Sequence, residues 1–130
     1  MGVYRHIRPK GPLDNINEIE GAALETLFLQ EIKAMNDYLG LAYEVFYWRT
    51  RSQLEVDFVL YGPQGLLAFE IKRKQKLNNQ DFSGLRAFKE DYPIAKCMVL
   101  YGGMERYTDR DISVMPFEVA MTQLSSLLKS

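Results

Sequence analysis

Glu-x-Lys occurs twice in this chain, at Glu31-Ile32-Lys33 and at Glu70-Ile71-Lys72, and only the second follows an aspartate, Asp57, on what reads as a neighbouring strand. On a helix, residues two apart do not face each other, so the first occurrence carries little. On a strand they share a face. Two carboxylates with a lysine alongside are a donor set for a hard divalent cation, which takes oxygens from one or two carboxylates and completes its shell with water. The same groups also make an ordinary charge network at a solvated sheet edge.

The hairpin that carries these residues is explicit. Residues 54–61 and 66–72 alternate in polarity across Gly62-Pro63-Gln64-Gly65. If Gly62 pairs with Gly65, Asp57 falls directly opposite Glu70 and Glu55 opposite Lys72, all on one face. The other face, Leu54, Val56, Phe58 and Leu60 against Leu67, Phe69 and Ile71, is wholly apolar and must be covered. Like charges directly opposed in a sheet, with β-carbons ~5 Å apart, are destabilising. Asp57 and Glu70 therefore need a partner, either a divalent cation or a nearby base such as Lys72 or an arginine.

The remaining elements follow from periodicity and punctuation. Residues 1–15 read as an extended arm, interrupted by Pro9 and Gly11-Pro12, ahead of one domain at 16–130. Residues 17–39 carry a near-3.6 apolar period with Asn17 as N-cap and Gly40 as stop. Residues 43–49 are β-branched and aromatic, hence a strand; 79–91 read as a helix ended by Pro93; 95–101 as a buried strand. A polar loop, a short strand at 112–115 and a helix from Pro116 to about 128 complete an α-β-β-β-α-β-β-α order. The expected fold is α/β, a central mixed sheet of about four or five strands flanked by helices.

Composition sets limits. The 130 residues hold 16 Lys+Arg, 17 Asp+Glu and one His, for a net charge of −1. Such a balance argues against a broadly basic nucleic-acid binder, so any such function must come from a local site. The charge is uneven: residues 11–45 hold one Lys against seven acids, residues 46–76 six bases against three acids. One cysteine, Cys97, excludes an internal disulfide and a cysteine-cluster zinc site. No apolar run approaches the ~18 residues of a membrane span, and the N-terminus lacks an apolar signal core, so a cytoplasmic location is expected. Gly102-Gly103 lacks the Lys-Ser/Thr of a phosphate-binding loop, and no nucleotide-binding motif is present.

Asp57 followed by Glu70-Ile71-Lys72 on the next strand resembles the PD-(D/E)xK nuclease superfamily, with its restriction-endonuclease-like fold; Val56 stands where the proline of the name would be. Gly21-Ala22-Ala23-Leu24-Glu25 is similar to the superfamily's helical glutamate motif. Trp48-Arg49-Thr50-Arg51-Ser52, Arg8-Pro9-Lys10-Gly11-Pro12-Leu13 and Val114-Met115-Pro116-Phe117 resemble a narrower group, the C-terminal nuclease-like domains of bacterial and archaeal P-loop ATPases of the AAA type. The resemblance implies DNA phosphodiester hydrolysis with Mg²⁺ or Mn²⁺ held by Asp57, Glu70, the Ile71 carbonyl and Glu25. Lys72 would orient or deprotonate the attacking water. It also implies an ATPase domain or subunit as partner. The alternative is a catalytically silent module of the same fold that binds nucleic acid, dimerises or docks on an ATPase.

Two points stay open at this level. A helical wheel puts Glu25 at the edge of the apolar stripe and Glu31 near its centre, so either can face the charged end of the sheet. Arg49, Arg51, Arg73 and Lys74 are weaker candidates for phosphate contact; equally, the arginines can be counter-charges to Asp57 and Glu70. Gln80 reads as a plain N-terminal helix residue, although the nuclease resemblance implies that a glutamine there can lie near the site; Cys97 reads as inert core and His6 as an exposed arm residue. Tyr43, Phe46, Tyr47 and Trp48 read as core before base-stacking groups. Setting Glu25, Asp57 and Glu70 aside as ligands leaves 16 basic against 14 acidic groups.

Overall fold

A computed structural model of the chain describes residues 21–129. The expected arm at 1–15, Asn17 and His6 lie outside the described residues. The first element is helix α1, Gly21–Leu39. Its end follows from Gly40, which takes a left-handed φ of 65°. Gly40 N–H then donates to Asp37 O and Leu41 N–H to Asn36 O, closing the last helical turn at 3.3 and 3.1 Å.

Strands β1 (Glu44–Arg49), β2 (Glu55–Gly62) and β3 (Gly65–Lys72) form an antiparallel meander. A 3-10 turn at Asn79–Phe82 leads into α2, Ser83–Asp91. Strand β4 (Lys96–Tyr101) then returns parallel to β3. Strands β5 (Tyr107–Asp109) and β6 (Ile112–Pro116) form a hairpin, with β6 parallel to β4. Helices α3 (Phe117–Thr122) and α4 (Leu124–Lys129) close the chain. The result is a mixed α/β architecture with a six-stranded open sheet in the order β1-β2-β3-β4-β6-β5.

Two apolar layers lie on the sheet's two faces. Leu24, Phe28 and Ile32 of α1, with Phe117, Leu124 and Leu128, cover Phe58, Leu60, Leu67, Phe69 and Ile71. Phe28 meets Phe58 and Phe69 edge-on, at ring separations of 5.2 and 5.1 Å. On the other face Phe82, Leu85 and Phe88 cover Val56, Val59, Ala68, Cys97 and Val99.

Three expectations are corrected here. β5 falls where only a polar loop was expected, because Asp109 pairs with Ile112 around Arg110-Asp111, both at positive φ (50° and 71°). That is a mirror-image hairpin turn without its usual Asn-Gly signature, so the sequence does not announce it. The final helix is two short helices, broken at Gln123. The order is therefore α-β-β-β-α-β-β-β-α-α. Third, the apolar face of the hairpin is not continuous, since Val56 joins the layer under α2 while Phe58 joins the layer under α1. Regular alternation would put both on one face.

The cause is a bulge. Phe46 pairs with Val59 and Trp48 with Val56, so Asp57 and Phe58 of β2 together oppose Tyr47 of β1. The extra residue reverses the alternation and re-aims Asp57. Helix α2 is held against the same stretch of β2. A β-carbon on Gly84 would lie 2.1 Å from the Glu55 carbonyl oxygen, so only glycine allows this approach. We expect Gly84→Ala to lower the urea midpoint by the equivalent of about 1–3 kcal/mol, an overpacking cost. An unchanged midpoint would show that α2 does not rest on β2 in this way.

Candidate functional site

The charged residues gather where β2 begins and β3 ends, beside the N-terminus of α2. Glu25, Glu55, Asp57, Glu70, Lys72 and Asp81 line one cavity there, with Gln80, Ser83 and Gly84 on its wall. The parallel strands β3 and β4 point their carboxyl ends this way, the usual location of ligand sites in open α/β sheets.

The hairpin register holds as expected from Gly62↔Gly65 to Phe58↔Phe69, where the paired positions stop. Asp57 and Glu70 are therefore not a simple cross-strand pair. Asp57 Oδ2 accepts a hydrogen bond from Ile71 N–H at 3.2 Å, so a side chain rather than the β2 backbone meets β3 here. Asp57 and Glu70 still line the same cavity, close enough for the Asp57 charge to act on Glu70. Glu70 is only 5% exposed. Burial, then the Asp57 charge, push its carboxyl up to about 9, and Lys72 offsets part of this. Lys72 Nζ lies 3.8 Å from Glu70 Oε1.

Glu25 is the helical acid at the site. Partial burial, then the charges of Asp57 and Glu55, raise its pKa, and Lys72 lowers it. Glu31 is exposed and is not among the cavity residues, so the choice between the two glutamates resolves to Glu25. Its expected place near the centre of the buried stripe is corrected: Leu24, Phe28 and Ile32 make that stripe. Glu55 does not pair with Lys72. It accepts from Arg49 Nη2 at 3.3 Å, so Arg49 is the counter-charge of Glu55 rather than of Asp57 or Glu70. The Arg49 guanidinium also lies 5.7 Å from the centre of the Tyr47 ring. Arg51 and Arg73 are exposed and make no ion pair among the described residues.

Asp81 was not singled out from the sequence. It is 8% exposed and accepts from Lys74 Nζ at 2.7 Å and from Asn78 N–H at 2.8 Å. Burial raises its pKa, but Lys74 and the Asn78 amide outweigh that, and the net shift is downward. Lys74 is thus tied to Asp81 at the cavity wall. The legible signal was Asn78-x-x-Asp81, a reciprocal helix-start pair in which Asn78 also accepts from Gln80 N–H at 3.0 Å. Gln80, expected as a plain helix-start residue rather than near the site, lies on the cavity wall.

Aromatic residues divide against expectation. Tyr43 is buried, its hydroxyl donating to Leu128 O, and Trp48 packs edge-on against Phe88. Phe46 and Tyr47 are exposed on the edge strand β1, not core. Cys97 is buried and its thiol is pushed up to about 11, chiefly by burial, so it is unreactive core. Among the described residues, no three His, Cys, Asp or Glu side chains converge closely enough to form a ready-made cation site. No helix among them is long and apolar enough to cross a membrane.

The fold and cavity define an α/β protein with an acid-acid-lysine cluster at the end of a mixed sheet. Residues 20–120 match the family described as a domain of unknown function, DUF4143, and the chain belongs to that family. Comparison with curated proteins finds no match.

Glu70 makes stability depend on pH. Its folded pKa of about 9 lies above the ordinary 4.5, so the folded state holds a proton that the unfolded state releases. Stability therefore falls as pH rises from about 4.5 to about 9, and is independent of this group below that window. We expect metal-free Glu70→Gln, which cannot ionise, to be more stable than wild type at pH 8 by about 1–3 kcal/mol. The gain should shrink towards pH 4.5, as read by thermal melts across pH. A gain that does not shrink would refute the burial of an ionisable proton at Glu70.

Proposed function

We propose that this chain is a metal-dependent phosphodiester hydrolase of DNA, of PD-(D/E)xK type with a restriction-endonuclease-like fold. The observation that carries this reading is that Asp57, Glu70 and Lys72 line one cavity, with Lys72 Nζ 3.8 Å from Glu70 Oε1. A scaffold gains nothing from placing two acids together at a buried strand end. A catalytic site gains a place for a cation.

The residues fit Mg²⁺ or Mn²⁺. Their donors are hard oxygens, and Glu70 holds a proton beside Asp57 where a cation would relieve the same repulsion. Asp57, Glu70 and the Ile71 carbonyl would hold the ion. The lack of a third converging acid is compatible with this, because Mg²⁺ keeps several waters and needs only one or two carboxylates. Glu25, facing the same cavity from α1, would hold one of those waters. The bound ion would neutralise a phosphate oxygen and lower the pKa of a water.

The chain's own groups supply the rest. The Lys72 ammonium adds positive charge where negative charge develops on phosphorus, and it orients the attacking water. Glu25, with its raised pKa, is suited to exchanging a proton at the cavity. Ser83 and Gly84 present the N-terminus of α2 to the same space. The resemblance of Trp48-Arg49-Thr50-Arg51-Ser52 and Val114-Met115-Pro116-Phe117 to nuclease-like domains of P-loop ATPases makes an ATPase domain or subunit the partner of this reading. A second reading is a silent module that binds nucleic acid, or dimerises or docks on such an ATPase. It is favoured by the absence of three converging acids among the described residues.

A cleavage panel of single-stranded, double-stranded and branched DNA with Mg²⁺ or Mn²⁺ separates these readings. We expect Lys72→Ala to reduce cleavage at least ~100-fold while DNA binding changes little, as for removal of one charge-stabilising group. We expect Asp57→Ala to abolish Mn²⁺ binding in calorimetry. Cleavage that survives Lys72→Ala places the activity elsewhere. Metal and DNA binding without cleavage supports the silent module, and a stable oligomer indifferent to metal supports docking alone.

A further inference from the structure

Glu25, Glu55 and Asp57 line two cavities, not one. The second opens on their far side, between α1 and the edge of the sheet, and has a volume of about 380 Å³. Ligand pockets of ~300–1,000 Å³ hold small organic molecules, so a nucleoside fits in this one. Its wall differs from that of the first cavity: Ala22, Leu29 and Phe58 make it partly apolar, and Tyr47 closes its outer side. Tyr47 is 68% exposed on β1, a strand paired only with β2. Its ring is therefore accessible to a ligand.

We propose that this groove takes an unpaired nucleobase stacked on Tyr47, next to a phosphate that a divalent cation on Asp57 and Glu70 would hold, so that the preferred substrate is single-stranded DNA. The inference rests on the nuclease reading and extends it. A phosphodiester carries a nucleoside on each side of the phosphate, and the two cavities meet across the carboxylates that would address that phosphate. A base inside a duplex already has both faces stacked and its edge paired, so reaching Tyr47 would require extruding it. A base of a single strand has a free face, and aromatic stacking accepts any base. Arg49 offsets part of the negative charge on the approach. It neutralises Glu55 at 3.3 Å, and its guanidinium lies over one face of the Tyr47 ring, 5.7 Å from the ring centre, so a base would stack on the opposite face.

The test uses the full chain and a fluorescein-labelled twelve-nucleotide oligothymidine, alone and annealed to its complement, followed by anisotropy with Ca²⁺ in place of Mg²⁺. We expect Tyr47→Ala to weaken single-strand binding about tenfold, and Tyr47→Phe to remain within about twofold of wild type. Duplex binding should be weaker in wild type and insensitive to both changes. Melting curves check that the variants are folded; Tyr47→Ser serves if Tyr47→Ala is not. Equal binding of single strand by wild type and Tyr47→Ala overturns the groove assignment and leaves the nuclease reading standing. Binding of neither DNA by the wild type overturns both.

Discussion

One hydrogen bond decides how the end of this sheet is built. Ile71 N–H on β3 finds the Asp57 carboxylate rather than a backbone carbonyl of β2. Beyond Phe58↔Phe69 the two strands no longer form paired positions, and the space between them becomes the cavity. The bulge of β2 over Tyr47 makes this possible, because it turns Asp57 out of simple alternation without breaking the pairing with β1. Val56 then seals the layer beneath α2, and Phe58 seals the layer beneath α1. Polar groups can therefore meet at the strand ends while both apolar layers stay closed.

The cost of that arrangement is electrostatic. Glu70 is buried next to a second acid, and its carboxyl is driven to about 9. Buried charges persist only when paired or otherwise compensated. Lys72 compensates in part, at 3.8 Å. Protonation completes the balance in the metal-free chain, and a divalent cation would do so at higher pH. On the facing helix, partial burial and then the charges of Asp57 and Glu55 raise the pKa of Glu25. Neighbouring acids are treated differently: Glu55 is matched by Arg49, and Asp81 by Lys74 and the Asn78 amide. The least compensated group in the cavity is Glu70, in the strand pair that the nuclease resemblance singles out.

The support for this end of the sheet comes from outside the cluster. Gly84 lets α2 approach the Glu55 carbonyl, and the Asn78–Asp81 cap fixes how the chain turns from β3 into α2. Gly102 plays a similar part at the end of β4. A β-carbon there would lie 2.3 Å from Arg73 O, and Gly102 N–H donates to Lys74 O at 2.9 Å. The lysine-rich stretch after β3 is thus held by backbone contact, and Lys74 is paired with Asp81.

By itself the sequence determined most of the elements, though not β5 or the break at Gln123, and most of the hairpin. Period-two alternation around Gly62 and Gly65 gave the register, and period-3.6 spacing ending at Gly40 gave the long helix, because these signals are local and each residue's partner is set by counting. It also brought out Asp57, Glu70 and Lys72 as a group. Only the tertiary structure decided which helical acid faces that group, since Glu25 and Glu31 differ by their angle to a sheet that the sequence does not place. It alone revealed the bulge that moves Val56 to the other face. It alone paired Glu55 with Arg49, and it brought Asp81 and Gln80 to the cavity wall. Each of these depends on contacts between strands and helices far apart in the chain, where a single extra residue in one strand reverses what simple alternation foretells.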